Sequence, residues 1–251
     1  MEGNRERVFG GSLGIEVGAV PDRPSNQAVI QACTLLNGLD ASSRERLIEC
    51  SHMAYAERGE TIWIAGQSSE FSAVVGIGFV KMTQSSPHGA EVAVELLGPG
   101  QCFGLMAAIE GREFPLTATA VTNCWYLKLP TREIQEIYSA SDAMKDQIVR
   151  SIGPRLRRAH EMMSRLSSGS VEERIAAVLF ILATSYGKPV SGGLTIEVPL
   201  TRSDISEMAG TTTETTIRVM SRWQKQGLVT TDKHVVTIRD EVALSRVLRA
   251  A

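Results

Sequence analysis

Glu214, Ile217 and Arg218 stand at i, i+3 and i+4 in the run TETTIRVMSRWQK, so a helix there carries all three on one face. An arginine so placed can grip O6 and N7 of a guanine, and a glutamate can accept from N4 of a cytosine or orient the arginine. An isoleucine has no hydrogen bond to give, but it can pack on a thymine methyl group. Beside them Thr211, Thr212, Thr213 and Thr215 offer hydroxyls to phosphates near the helix N-terminus, where the helix dipole also favours anions. Arg202 and Lys225 are further candidate phosphate contacts. The chemistry these residue types and spacings suggest is the reading of double-stranded DNA through its major groove.

Such side chains need a scaffold, and the stretch from Val198 to Arg239 reads as one. Thr201 caps a short helix with Ile205, Met208 and Ala209 at apolar spacing, and Asp204 sits in its favourable first turn. Gly210 supplies a turn. Thr212 caps a second helix whose Val219, Met220 and Trp223 face inward, and Gly227 ends it. The runs LVTT and HVVTI, joined around Asp232-Lys233, predict a two-stranded ribbon. Helix, glycine turn, helix and ribbon make a winged helix-turn-helix. The competing reading is an ordinary helical hairpin with a solvated polar face.

ETTIR followed by VMSRWQKQGLV resembles the recognition helix of the Crp/Fnr transcription regulators, whose pattern is E-x-x-S-R. Glu214 and Arg218 match the pattern, and Ile217 stands where the serine should be. The resemblance continues upstream through VEERIAAVLFIL. It implies an α+β chain with an N-terminal antiparallel β-roll, cupin-like and similar to cyclic-nucleotide-binding domains, then a long dimerisation helix and the winged helix-turn-helix. It further implies a homodimer on a palindromic DNA site, RNA polymerase as a second partner, and a signal received at the β-roll.

The rest of the pattern divides accordingly. Residues 1–24 read as a flexible tail, 25–138 as the sensor, 139–168 as the dimerisation helix and 169–251 as the DNA-binding domain. Between Met53 and Leu129, short runs such as TIWIAGQ and FSAVVGIGFVKM are punctuated by glycine, which argues a small antiparallel domain. From Met144 the period turns helical. Met144, Ile148, Ile152, Leu156, Ala159, Met163 and Leu166 form one stripe more than about six turns long. A stripe of that length must be covered, and a two-chain coiled coil is the preferred cover over intramolecular packing. Pro154 cannot donate to the carbonyl of Arg150, so a kink or register break is expected there. Ser170 and Glu173 make a capping box for the next helix.

In cyclic-nucleotide-binding members of the family, a G-E-L turn and a downstream Arg-Ser/Thr pair hold the ribose and the phosphate. Here Gly104 matches, Leu105 replaces the glutamate, and Phe114-Pro115 stands near where the arginine should be, with Arg112 close by. Gly104, Leu105, Arg112 and Phe114 are the candidate effector-pocket residues, and cyclic AMP is disfavoured, because a buried phosphate needs a charged partner. An iron–sulfur cluster is disfavoured too, since Cys33, Cys50, Cys102 and Cys124 lack the close spacing it needs. For a haem, His52, His88 and His160 are candidate axial ligands that no other feature supports.

Twenty-six basic against 28 acidic residues exclude a globally cationic nucleic-acid coat. Basic residues nevertheless gather in the last third and around Arg155, Arg157, Arg158 and Arg165, which suits a local DNA-facing surface. No secretory leader and no apolar run of about 18 residues is present, so a cytoplasmic location without membrane contact is expected. No catalytic triad, metal spacing or phosphate loop marks an enzyme. The alternative function is a ligand-sensing module of the cyclic-nucleotide-binding type that does not act on DNA.

Overall fold

Strands of two to seven residues with glycine turns cannot bury a face alone, so they must stack as sheets. The computed structural model describes residues 21–85 and 91–248 and contains that stack. Two short helices, α1 (Asn26–Ala32) and α2 (Ala41–Cys50), come first, capped by Ser25 and Asp40. The strands follow: β1 (His52–Ala56), β2 (Thr61–Trp63), β3 (Phe71–Ile77), β4 (Val80–Ser85), β5 (Glu91–Leu97) and β6 (Cys102–Phe103). After α3 (Leu105–Glu110) come β7 (Thr117–Ala120) and β8 (Cys124–Pro130). They form two four-stranded antiparallel sheets, β1-β8-β3-β6 and β2-β7-β4-β5. Trp63, Val75, Val80, Leu97, Phe103 and Phe114 fill the space between them.

Helices α4 (Thr131–Ala140) and α5 (Asp142–Ser168) lead to α6 (Val171–Tyr186), which starts on the capping box of Ser170 and Glu173. Then come β9 (Gly187–Val190), β10 (Gly193–Ile196), α7 (Arg202–Ala209), α8 (Thr213–Lys225), β11 (Val229–Asp232), β12 (Val235–Ile238) and α9 (Glu241–Val247). A third antiparallel sheet runs β11-β12-β10-β9. The run LTIEV at 194–198 alternates as a strand does, and β10 falls on its first half. β9 has no such mark, because GKPV carries no alternation.

Three expectations need correction. Met144 and Ile148 are not available to a second chain. They are 0% and 5% exposed, packed with Leu36, Leu47, Ile134 and Ile137 against the sensor. The stripe therefore changes surroundings midway, because its first two turns lie over the Thr34–Leu36 turn and α4 while Ile152, Leu156, Ala159 and Met163 are exposed. Pro154 does not break the element: α5 is one helix from Asp142 to Ser168. The tail ends earlier than residue 24, since the Trp125 indole donates to the Pro21 carbonyl at 2.8 Å. The side chain of Leu166, residues 1–20 and His88 lie outside the described residues.

Candidate DNA interface and sensor pocket

The interface begins with caps. Thr201 accepts from the Asp204 amide, and the Thr201 amide donates in turn to the Asp204 carboxylate at 2.9 Å, which closes the capping box of α7. Gly210 ends that helix at φ 58°, the left-handed geometry a C-terminal turn needs. Arg174 of α6 donates to the Gly210 carbonyl at 2.9 Å, so the turn is held from outside as well. Thr212 then caps α8 by accepting from the Thr215 amide at 3.2 Å. The Ser206 and Thr213 hydroxyls meet at 3.2 Å, and this ties α7 to α8.

On α8 the helical period separates two faces. Val219, Met220 and Trp223 are buried, with Trp223 only 1% exposed. Glu214, Ile217 and Arg218 are all exposed, and so is Lys225 in the last turn. Ile217, at 48% exposure, is a bare apolar side chain between two charges. Thr212 and Thr213 are exposed, whereas Thr211 and Thr215 are half-buried. The structure therefore places Glu214, Ile217, Arg218 and the threonines together, in the first half of α8 and the turn that leads into it.

Arg202 is placed differently. Its guanidinium donates to the Thr231 hydroxyl of β11 at 2.9 Å, bracing α7 against the wing, and burial lowers its pKa. Arg222 is paired with Glu172 of α6 at 2.5 Å, and Arg155 with Glu95 at 3.2 Å. Part of the basic surface counted from sequence is thus engaged inside the chain. The wing turn falls at Lys233 and His234, both with positive φ (44° and 68°), one residue beyond the expected Asp232-Lys233.

Sequence reasoning missed how the sensor grips this unit. Lys81 of β4 reaches Asp204 at 3.1 Å and Glu207 at 2.5 Å on α7, and Arg58 approaches Asp204 at 3.6 Å. Burial alone would lower the Lys81 pKa, but its bonds to Glu207 and Asp204 outweigh that and raise it. Burial would likewise raise Asp204, yet the Thr201 hydroxyl and amide and Lys81 hold it below the usual carboxylate range. Contacts more than 120 residues apart leave no local signal.

In the sensor, Gly104 takes φ 72° at the start of α3, and a Cβ there would meet Phe114 at 2.9 Å and Trp63 at 3.0 Å. Trp63 stacks on Phe114 (centroids 4.0 Å, planes 9° apart) and on Phe103 (4.9 Å, 25°). Aromatic rings therefore occupy the neighbourhood where a cyclic phosphate would need its arginine. Arg112 does not supply one, because its side chain is 79% exposed and faces Glu110 at 3.6 Å. A cavity of about 200 Å³ remains between α3, Leu116 and α5. Leu105 and Phe114 line it, but Arg112 does not. These residues do not fit a cyclic nucleotide. Calorimetry with cyclic AMP at millimolar concentration should give no saturable heat, and a clear isotherm would contradict this assignment.

His52 and His160 are exposed on β1 and α5. Among the described residues, no group of three or more His, Cys, Asp or Glu could hold a metal ion, and no helix is long and apolar enough to cross a membrane.

Comparison with known proteins agrees with this geometry. Residues 173–247 match the Crp-like helix-turn-helix domain and residues 54–141 the cyclic nucleotide-binding domain. The chain is 25% identical to the global nitrogen regulator of Nostoc sp., over 76% of this chain and 86% of that protein. It is 22% identical to a CRP-like cAMP-activated global transcriptional regulator of Mycobacterium tuberculosis, over 87% and 97% of the two chains. Among solved structures, FixK2 of Bradyrhizobium japonicum superposes with a TM-score of 0.69 at 21% identity, covering 78% of this chain and 96% of that one. A CRP-family regulator of Thermus thermophilus gives 0.65 at 24%, covering 79% and 97%. With a sensor of the cyclic-nucleotide-binding type joined to a Crp-like helix-turn-helix, the chain belongs to the Crp/Fnr family of DNA-binding transcription regulators.

Proposed function

We propose that the chain binds a palindromic DNA site as a homodimer, under the control of a small molecule received at the β-roll. The observation that carries the DNA reading is the division of α8, with Glu214, Ile217 and Arg218 exposed opposite a fully buried Trp223. Arg218 reads guanine, Glu214 accepts from cytosine or steadies Arg218, and Ile217 packs on a thymine methyl. Thr211, Thr212, Thr213, Thr215 and Lys225 meet phosphates, and Arg202 joins them only if DNA draws it off Thr231. Ile152, Leu156, Ala159 and Met163 form the dimer seam, while the boundaries near 138 and 168 separate sensor, seam and DNA-binding unit. RNA polymerase is the further partner, the compartment is the cytoplasm, and the chain catalyses no reaction.

Binding-site selection from random DNA at one fixed salt concentration tests the reading. Arg218→Ala should cost about 1–3 kcal/mol per half-site and relax the preference at one position in each. Ile217→Ser should shift the neighbouring base at similar affinity. If Arg218→Ala lowers affinity evenly across sequences and leaves the selected motif intact, Arg218 is a phosphate clamp and the base-reading role is lost.

A further inference from the structure

The cavity beside α5 has a chemistry that narrows its ligand. Of its lining groups only Glu95, Ser151 and Arg155 are polar, and each is already engaged. Arg155 pairs through Nε with Glu95 at 3.2 Å and donates from Nη2 to the Cys102 carbonyl at 3.2 Å. Ser151 donates to the Ile148 carbonyl at 2.7 Å. An anion entering here would meet the Glu95 carboxylate beside Arg155, whose Nε and Nη2 are already taken, so like-charge repulsion offsets what the arginine offers.

The remaining wall is apolar, from Leu105, Met106, Phe114 and Ile152. Its rim carries two bare apolar side chains, Met106 at 44% and Ile152 at 39% exposure. The wall is also firm: Phe114 is stacked on Trp63, whose indole is fixed to the Leu116 carbonyl at 3.0 Å. A space of about 200 Å³ is far below what a nucleotide fills, and apolar cavities of roughly 150 Å³ accept a benzene ring.

We infer that the sensor cavity takes an uncharged, ring-sized apolar molecule rather than a nucleotide or an organic acid. This rests on the reading of the β-roll as the effector site and names the ligand class for it. Ile148, Ser151, Ile152 and Arg155 bring α5 to the cavity at the turn where Pro154 removes a backbone donor. A ligand there presses on a turn that lacks one backbone hydrogen bond, in the helix that also bears Leu156 and Met163. Occupancy is thereby coupled to the exposed seam.

Fluorine NMR on the full chain tests the inference with two probes of one shape, fluorobenzene and 4-fluorobenzoate. The fluorobenzene signal should broaden saturably, with 4-fluorobenzoate bound at least roughly tenfold more weakly, since it must bury a charge. Ser151→Leu, which fills the cavity from α5, and Met106→Phe, which fills it at the rim, should each abolish the broadening while the folded far-UV signal is kept. Equal or tighter binding of 4-fluorobenzoate, broadening that survives both filled variants, or no response to either probe overturns the ligand class. The effector reading is judged separately, by whether Ser151→Leu alone changes the affinity for the selected DNA. A filled cavity that leaves DNA binding untouched sinks that reading whatever the probes do.

Discussion

Glutamate at both Ile152 and Leu156 leaves the full chain monomeric and lowers its affinity for a two-half-site DNA by roughly a hundredfold or more. Both side chains are exposed in the single chain, at 39% and 52%, so the substitutions disturb little inside the protomer. In a dimer the same positions meet their copies. Each apolar side chain covered is worth about 1.5–3 kcal/mol, and two-fold symmetry doubles the number. The double variant forfeits that and sets four carboxylates against one another. Loss of avidity then reaches the DNA, because two weak half-sites bind tightly only when joined. Analytical ultracentrifugation gives the mass, and a titration against one half-site and two gives the ratio. A double variant that still sediments as a dimer would remove this seam. Met144 and Ile148, sealed within the protomer, belong to no such test.

The second large effect concerns Asp204. Asp204→Ala should lower the stability of the full chain by about 2–4 kcal/mol, since one carboxylate both caps α7 and faces Lys81. Its side chain is 10% exposed and that of Lys81 14%, so water screens the pair only weakly. Asp204→Asn keeps a cap acceptor and loses the charge, which separates the two roles. The pH dependence follows in sign. Asp204 has a lowered pKa, so its contribution is present above the unfolded value of about 3.9 and fades as pH falls through the folded one. Lys81 has a raised pKa, so its contribution is present below about 10.4 and fades as pH rises through its folded value. Urea unfolding of both variants near neutral pH checks the magnitude. An alanine variant within about 0.5 kcal/mol of the parent would show that α7 needs neither role.

What could be read in advance was whatever is written locally. Thr201, Gly210, Thr212 and Gly227 are caps and turns whose chemistry lies within four residues of its partner, and all fall where the pattern put them. Ser170 with Glu173 is the same case. The α5 stripe shows the opposite. Periodicity reveals that Met144 and Ile152 share a face, but only the tertiary arrangement decides that one meets α4 and the other meets solvent. Arg202 and Arg112 mark a further limit. Composition counts their charges, whereas geometry spends one on Thr231 and turns the other outward to Glu110. The Lys81 contact to α7 spans more than 120 residues, and no spacing rule reaches that far.

Phe79, Ala93 and Val121 of the sensor lie in one buried cluster with Leu179, Leu182 and Trp223 of the DNA-binding unit. The Phe79 ring meets Tyr186 edge-on at 5.3 Å, and the Tyr186 hydroxyl donates to the Leu96 carbonyl at 3.0 Å. Melting should therefore ignore the seam that the pattern draws near residue 168. The DNA-binding unit does not own a closed interior, because its core is completed by sensor side chains, so heating the whole chain should give one endotherm whose calorimetric and van't Hoff enthalpies agree. A fragment cut at residue 169 would carry α6 with one flank uncovered, and it would melt at a lower temperature than the whole chain or clump before it melts. Two separated endotherms in the parent would mean that the shared interior transmits no cooperativity. Evolution by swapping sensors between such regulators would, on this account, have to re-fit Phe79 and its neighbours each time, because what is exchanged includes part of the recipient's own core.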